Sequence, residues 1–275
     1  MTSRAQRKSA GSYFSGDAAH YNDSRPAYPQ ALIQRIAEAI PGGDVLNAGC
    51  GTGIEARQFQ AAGCSVLGVD PDTQLAEFAR GTGVPVEVSR FEEWEPAGRT
   101  FDAVVAGTAW HWVDPIAGAA KAATVLRQRG LLAVFHHASL TPPEVADAAG
   151  MSLPPWTLRS ADAYRQAAYA SAFSPDGRRR SPLELYQPMF DTIADGIGRT
   201  GGFGEVEQWH FGWERTFTRA EWLKLLPTQG ALAQLTPERL AEVLRAVGDA
   251  IDRMGGSFAM PYATIAVAAV RKTAN

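Results

Sequence analysis

Residues 45–54 read V-L-N-A-G-C-G-T-G-I, and residues 65–70 read S-V-L-G-V-D. Val45 and Leu46 start an apolar run of the kind found in strands buried on both faces. Gly49, Gly51 and Gly53 then remove three side chains within five residues. A turn built this way adopts backbone angles closed to other residues and lets a ligand come close to the main chain. Ile54 to Ala62 contains no breaker and reads as a helix leaving the turn. The strand that follows closes on Asp70, 17 residues past Gly53 (70 − 53). An acid there accepts both hydroxyls of a ribose. The stretch therefore predicts a cofactor that contains a nucleoside.

Composition narrows the class. The chain has 275 residues, 45% of them apolar, enough for one large α/β domain with an insertion. A net charge of −3 argues against an electrostatic nucleic-acid binder, whose footprint is basic. Cys50 and Cys64 are the only cysteines, which disfavours a disulfide framework and fits a reducing, cytoplasmic setting. The first residues are polar and basic, unlike a signal peptide, and no 18-residue apolar window suggests a membrane span. The five histidines show no metal-ligand spacing, so no metal is expected.

Glycine spacing separates the candidate nucleosides. Dinucleotide sites favour G-x-G-x-x-G, whereas this loop is G-C-G-T-G with Ile54 after Gly53. An NAD-dependent oxidoreductase on a related fold is thus the alternative reading, and the missing spacing counts against it. The loop resembles the S-adenosyl-L-methionine loop of class I methyltransferases, usually an acid, an apolar residue, then G-C-G-T-G. Asn47 stands where that family typically has Asp or Glu. An amide keeps the hydrogen-bonding shape but lacks the charge near the cofactor's ammonium, so a non-methylating protein that binds S-adenosylmethionine also stays open.

The remaining chain extends the resemblance. Tyr21, Arg25 and Tyr28 lie in a segment similar to the Y-x-x-x-R-P-x-Y-P stretch of small-molecule methyltransferases, which implies Arg25 near the cofactor's carboxylate. Leu32, Ile36 and Ile40 form a helical stripe, and Asp72 can cap a helix that stops at Gly81. Val84 to Ser89 reads as a third strand, followed by Arg90, Phe91 and Glu92. The resemblance implies that Phe91 stacks on adenine, with Arg90 or Glu92 near its amine. Phe101 to Gly107 is another buried strand running into T-A-W-H-W-V-D-P, similar to the H-W-[FV]-D turn of methyltransferases acting on small molecules. Ile116 to Leu126 reads as a helix broken at Gln128 to Gly130, before a strand that ends at His136 and His137.

From Ser139 to Gly204 the pattern is rich in proline, with helix-like stretches near 161–173 and 183–194 and an Arg178-Arg179-Arg180 run. It reads as a helical lid. Glu205 to Phe217 alternates like an edge strand, Thr218 with Glu221 forms a capping box, and Thr236-Pro237 opens a helix with an apolar face from Leu240 to Met254. Tyr262 to Val270 is the last strand. The implied fold is α/β: a Rossmann-like, doubly wound seven-stranded sheet, mostly parallel with one antiparallel strand. The expected parts are a tail and flap at 1–29, a cofactor-binding core at 30–138, the lid at 139–204 and completion of the sheet at 205–275.

By the same resemblance the cofactor contacts are Tyr21, Arg25, Gly49, Cys50, Gly51, Thr52, Gly53, Asp70, Pro71, Arg90, Phe91, Glu92, Gly107 and Thr108. The product would be S-adenosyl-L-homocysteine. Trp110, Trp112, His136, His137 and Trp156 are expected on the side of a small-molecule acceptor. Methyl transfer from a sulfonium depends mainly on alignment and water exclusion. A phenol or alcohol acceptor also needs a base, for which His111 is the first candidate, ahead of His136 and His137.

Overall fold

The computed structural model describes residues 18–149, 181–228, 232 and 235–273. The expected tail at 1–12, Trp156, the stretch 161–173 and the arginine run lie outside the described residues. Seven strands form one sheet: β1 (Asp44–Ala48), β2 (Ser65–Asp70), β3 (Val86–Val88), β4 (Phe101–Gly107), β5 (Leu126–Ser139), β6 (Phe203–Thr218) and β7 (Ser257–Arg271). Their spatial order is β3-β2-β1-β4-β5-β7-β6, parallel from β3 to β5, with β7 antiparallel to both of its neighbours.

Strand alternation builds two cores, one on each side of the sheet. Val45, Val105, Ala133 and Phe135 point to the face covered by α2 (Gln30–Ala39), α3 (Ile54–Ala61) and α4 (Thr73–Gly81), where Leu32, Ile36, Phe59 and Ala76 are fully buried. Leu46, Val104, Leu132 and Val134 point to the other face, under α5 (Pro115–Val125) and α7 (Pro182–Arg199). Both faces of the central strands are thus covered, as their unbroken apolar runs require. The caps form as the side chains dictate: Asp72 accepts from the N–H groups of Gln74 and Leu75, and Thr218 and Glu221 make a reciprocal capping box.

Three expectations are corrected. The 183–194 stretch is not lid but the first part of α7, whose Tyr186, Phe190, Ile193 and Ile197 are buried in the core beneath the sheet. Gln128 to Gly130 does not end a helix before a separate strand. It is a bulge inside β5, with Arg129 at φ +63° and a register shift against Phe101 and Ala103. Met254 leaves the apolar face of α9 (Pro237–Arg253), because it lies past the helix end and is 36% exposed.

A third core sits where β6 and β7 run on past the sheet. Phe217, Phe258 and Met260 pack there with α6 (Pro143–Ala148), α8 (Arg219–Leu225) and α9. Helix α1 (Ala18–Ser24) is tied to this unit, since His20 Nε2 donates to the Lys224 carbonyl at 3.0 Å and Arg25 Nη2 to the Thr228 carbonyl at 2.6 Å. Among the described residues the cover beside the carboxyl edge of the sheet therefore comes from α1 and the C-terminal helices. No described helix is long and apolar enough to cross a membrane.

Candidate functional site

The three loop glycines do different work. A Cβ on Gly49 would stand 2.5 Å from the Ala109 Cβ, so Gly49 lets the turn after β4 close against the loop. Gly53, at φ +81°, is the N-cap of α3 in the left-handed region. A Cβ on Gly51, at φ +52°, would meet nothing within 4 Å among the described residues, unlike one on Gly49 or Gly53. Asp70 lies beside that opening. Its Oδ2 accepts from the Gly51 N–H at 2.8 Å and its Oδ1 from the Asp72 N–H at 2.9 Å. Each carboxylate oxygen keeps a further lone pair for a ligand hydroxyl. Burial pushes the Asp70 carboxyl up to about 6 despite those two bonds. An open backbone cradle next to a buried acid fits the sugar of a nucleoside. Nearby, the Thr52 hydroxyl is buried with no hydrogen-bond partner among the described residues.

The end of β4 is held in an uncommon conformation. Thr108 takes φ +52°, a region that a β-branched residue enters at a cost of about 1–3 kcal/mol. Two bonds hold it: its N–H donates to the Phe135 carbonyl at 2.8 Å, and its hydroxyl pairs with the Tyr28 hydroxyl at 2.8 Å. Gly107 has no room for a side chain, because a Cβ would stand 2.7 Å from the Tyr28 hydroxyl oxygen and 2.8 Å from Glu55 Oε1. Tyr28 is fixed in turn by Gln58. The Gln58 amide accepts from the Tyr28 N–H at 2.9 Å and donates to its carbonyl at 2.8 Å. Gln58→Ala is expected to cost about 1–3 kcal/mol, the loss of two part-buried bonds. Urea unfolding measures this cost, and faster chymotryptic cleavage after Tyr21 reports release of the segment.

Beyond β4, at the ends of β5 and β7, lies a cluster of imidazoles and large rings. His111 and His136 stand edge to face at 6.0 Å, and His136 lies 5.9 Å from Tyr186. On the other side of β5, His137 stacks on Tyr28 at 4.4 Å and packs against Trp213 at 5.2 Å. The Thr264 hydroxyl accepts from the Trp213 indole at 2.8 Å and pairs with His137 Nδ1 at 2.8 Å. Burial and the Arg25 charge hold all three imidazoles below the ordinary histidine range, His111 at about 4 and His137 at about 3. Many protein atoms surround the His111 ring, yet the residue itself is exposed, beside Trp112.

Several sequence-predicted residues sit elsewhere than expected. Trp110 is 2% exposed and packs over Gly118 of α5, so it floors the core rather than facing an acceptor, whereas Trp112 is 40% exposed. Phe91 is buried against Trp110, with ring centroids 5.9 Å apart, and offers no open face to an adenine. Arg90 reaches Glu92 and Glu93, each at 3.7 Å, and Glu92 Oε1 accepts from the Asp114 N–H. The Cys50 thiol turns toward Gly68 and the sheet, leaving only its backbone to the loop. Pro71 is half-buried beside Asp70. Tyr21 lies under the Arg25 guanidinium at 4.8 Å, and Arg25 itself is drawn toward Thr228 and the histidines. Glu55 and Gln58 escaped the sequence reading; an acid in the first turn of a helix packed on the sheet was the available signal.

An open sheet in the order 3-2-1-4-5-7-6, with a glycine cradle after β1 and an acid at the end of β2, defines the class I methyltransferase fold. Residues 46–134 match the family model described as a methyltransferase domain. Uncharacterized methyltransferases of Mycobacterium tuberculosis and Mycobacterium bovis are 34% identical to this chain over 115 residues, 41% of this chain and 46% of theirs. The chain thus spans about half the length of the curated relatives it matches. A solved structure assigned as a type II methyltransferase of Anaeromyxobacter dehalogenans superposes with TM-score 0.61 at 22% identity, covering 91% of this chain and 99% of that one. Phosphoethanolamine N-methyltransferase 2 of Haemonchus contortus, solved with S-adenosyl-L-methionine, gives TM-score 0.50 at 16% identity, covering 92% of this chain and 53% of that one. At such identities the structural likeness is one of fold.

Proposed function

We propose that the protein transfers a methyl group from S-adenosyl-L-methionine to a small-molecule acceptor, an oxygen being the favoured target. The observation that carries this reading is the free space at Gly51 beside the buried Asp70. A second feature weighs against the dinucleotide alternative. Glu55 and Asp70 are both buried at this turn, and a pyrophosphate placed there would face two carboxylates. A cationic ligand there would be attracted by the same pair.

When bound, the cofactor supplies a methyl group on a sulfonium centre. The chain's part is to bind and align. Gly51 and Asp70 would hold the nucleoside, and the Tyr28–Thr108 pair would fix the end of β4 beside it. The acceptor would lie against His111, His136 and Trp112. Alignment with water excluded supplies about 7–11 kcal/mol of such a barrier, more than proton transfer adds. His111, neutral throughout the physiological range, would accept the hydrogen bond of an acceptor hydroxyl.

S-adenosylhomocysteine is expected to raise the melting temperature and NAD(H) to leave it unchanged; the reverse result overturns the reading. Radiolabelled methyl transfer into a metabolite extract separates an active enzyme from a binding protein. His111→Ala is expected to lower turnover about 10–100-fold while cofactor affinity stays within about twofold. Wild-type activity should show no limb near pH 6.5 from this ring. Equal, small effects on both constants would make His111 a packing residue.

A further inference from the structure

Among the described residues, two buried groups beneath the glycine turn have no ion pair or donor of the kind their chemistry calls for. Asn47 is fully buried. Its Nδ2 donates to Glu55 Oε1 at 3.1 Å, while its Oδ1 meets no donor. Reversing the amide would set that oxygen against the carboxylate, so Glu55 fixes the orientation. Glu55 is 4% exposed and accepts from Asn47 and from the Gly107 N–H. Its other titratable neighbours are Asp70 from β2, Cys50 from the loop and Tyr28 from the segment before α2, with the Arg57 charge acting on it from beyond ion-pair distance. Arg57, on the same helix, spends its guanidinium on the Thr52 carbonyl, Thr82 and Asn22. Among the described residues, a carboxylate with no ion pair and an acceptor with no donor thus lie side by side.

We propose that Glu55, together with Asn47, forms the seat of the ammonium group at the amino-acid end of the cofactor. The inference rests on the S-adenosylmethionine reading and deepens it. A primary ammonium brings both missing things at once, a positive charge for Glu55 and an N–H for Asn47 Oδ1. The family that this loop resembles typically has an acid at position 47; in this chain the carboxylate beside that position is Glu55. Burial, which pushes the Glu55 carboxyl up to about 7, agrees with a carboxylate awaiting a cation.

The test compares two nucleosides by calorimetry. S-adenosylhomocysteine carries the ammonium, and 5′-methylthioadenosine lacks the whole amino-acid end but keeps the ribose. Glu55→Gln is expected to weaken S-adenosylhomocysteine about 10–100-fold, as for loss of a charge-assisted bond, and to leave methylthioadenosine within about twofold. Between about pH 5.5 and 7.5 the wild-type preference for S-adenosylhomocysteine should rise, and in Glu55→Gln it should stay flat. Asp70 titrates in the same window but acts on both ribosides, so their ratio removes it. Returning the charge to its other position, in the double variant Asn47→Asp with Glu55→Gln, should restore most of the lost affinity. Wild-type affinity for S-adenosylhomocysteine in Glu55→Gln, or equal loss of both nucleosides, overturns the proposal and leaves the cofactor reading standing. Failure of the wild-type protein to bind either nucleoside overturns the cofactor reading first.

Discussion

Gly51→Val is expected to lower affinity for S-adenosylhomocysteine by more than about 100-fold while the sheet remains folded. The position takes φ +52°, and a Cβ there would meet no described atom within 4 Å. A valine there suffers twice. The left-handed backbone costs a β-branched residue about 1–3 kcal/mol, and the isopropyl group fills the hollow next to Asp70. Only the second effect is specific to ligand binding, so a matched control separates them. Gly63 also has a positive φ, +90°, with nothing within 4 Å, but it lies in the turn before β2, at the opposite edge of the sheet. Gly63→Val should lose comparable stability by urea unfolding and keep its affinity in calorimetry. If both variants bind alike, the hollow is not the ligand site.

The contrast between these two glycines shows what the sequence carried. Three glycines within five residues, between a strand and a helix, announced the turn, and Asp70 announced the next strand's end. Local chemistry was equally plain at Asp72 and at Thr218 with Glu221, because a cap depends only on neighbours along the chain. Trp110 and Trp112 were not separable in this way. They are two residues apart in one turn, and the packing of Trp110 over Gly118 of α5 decides which ring is buried. The apolar spacing of Tyr186, Phe190, Ile193 and Ile197 was a core stripe hidden by its proline-rich flanks. Glu55 is the hardest case. In the first turn of a helix a glutamate ordinarily faces solvent and favours the dipole. Tyr28 and Gly107, far away in sequence on either side, are what enclose it.

That enclosure has a cost for folding, and Glu55→Gln should recover it. The folded carboxyl is raised to about 7 from an ordinary value near 4.5. Between those values the native state binds a proton that the unfolded chain has released, so this group's contribution to stability is complete below about pH 4.5 and falls as pH rises through 7. A shift of that size corresponds to about 3 kcal/mol at pH 8. Glutamine keeps the acceptor for Asn47 and Gly107 and never ionises. Its variant should therefore match wild type near pH 4.5 and exceed it by about 1–3 kcal/mol at pH 8. The difference between the two proteins is the quantity to measure, because the whole-protein curve mixes opposing groups. His111 and His137, held at about 4 and 3, lose stability in the other direction, as pH falls below the ordinary histidine value. Those histidines are common to both proteins and cancel in the subtraction. Urea unfolding at a series of pH values, without ligand, gives the result. A variant no more stable than wild type at pH 8 would mean that the carboxylate is already compensated in the native protein. Under saturating S-adenosylhomocysteine the order should invert, with wild type the more stable at pH 8, because a ligand that binds one form better stabilises it by mass action. A residue that weakens the empty protein and strengthens the loaded one is expected of a binding charge, and not of one kept for the fold.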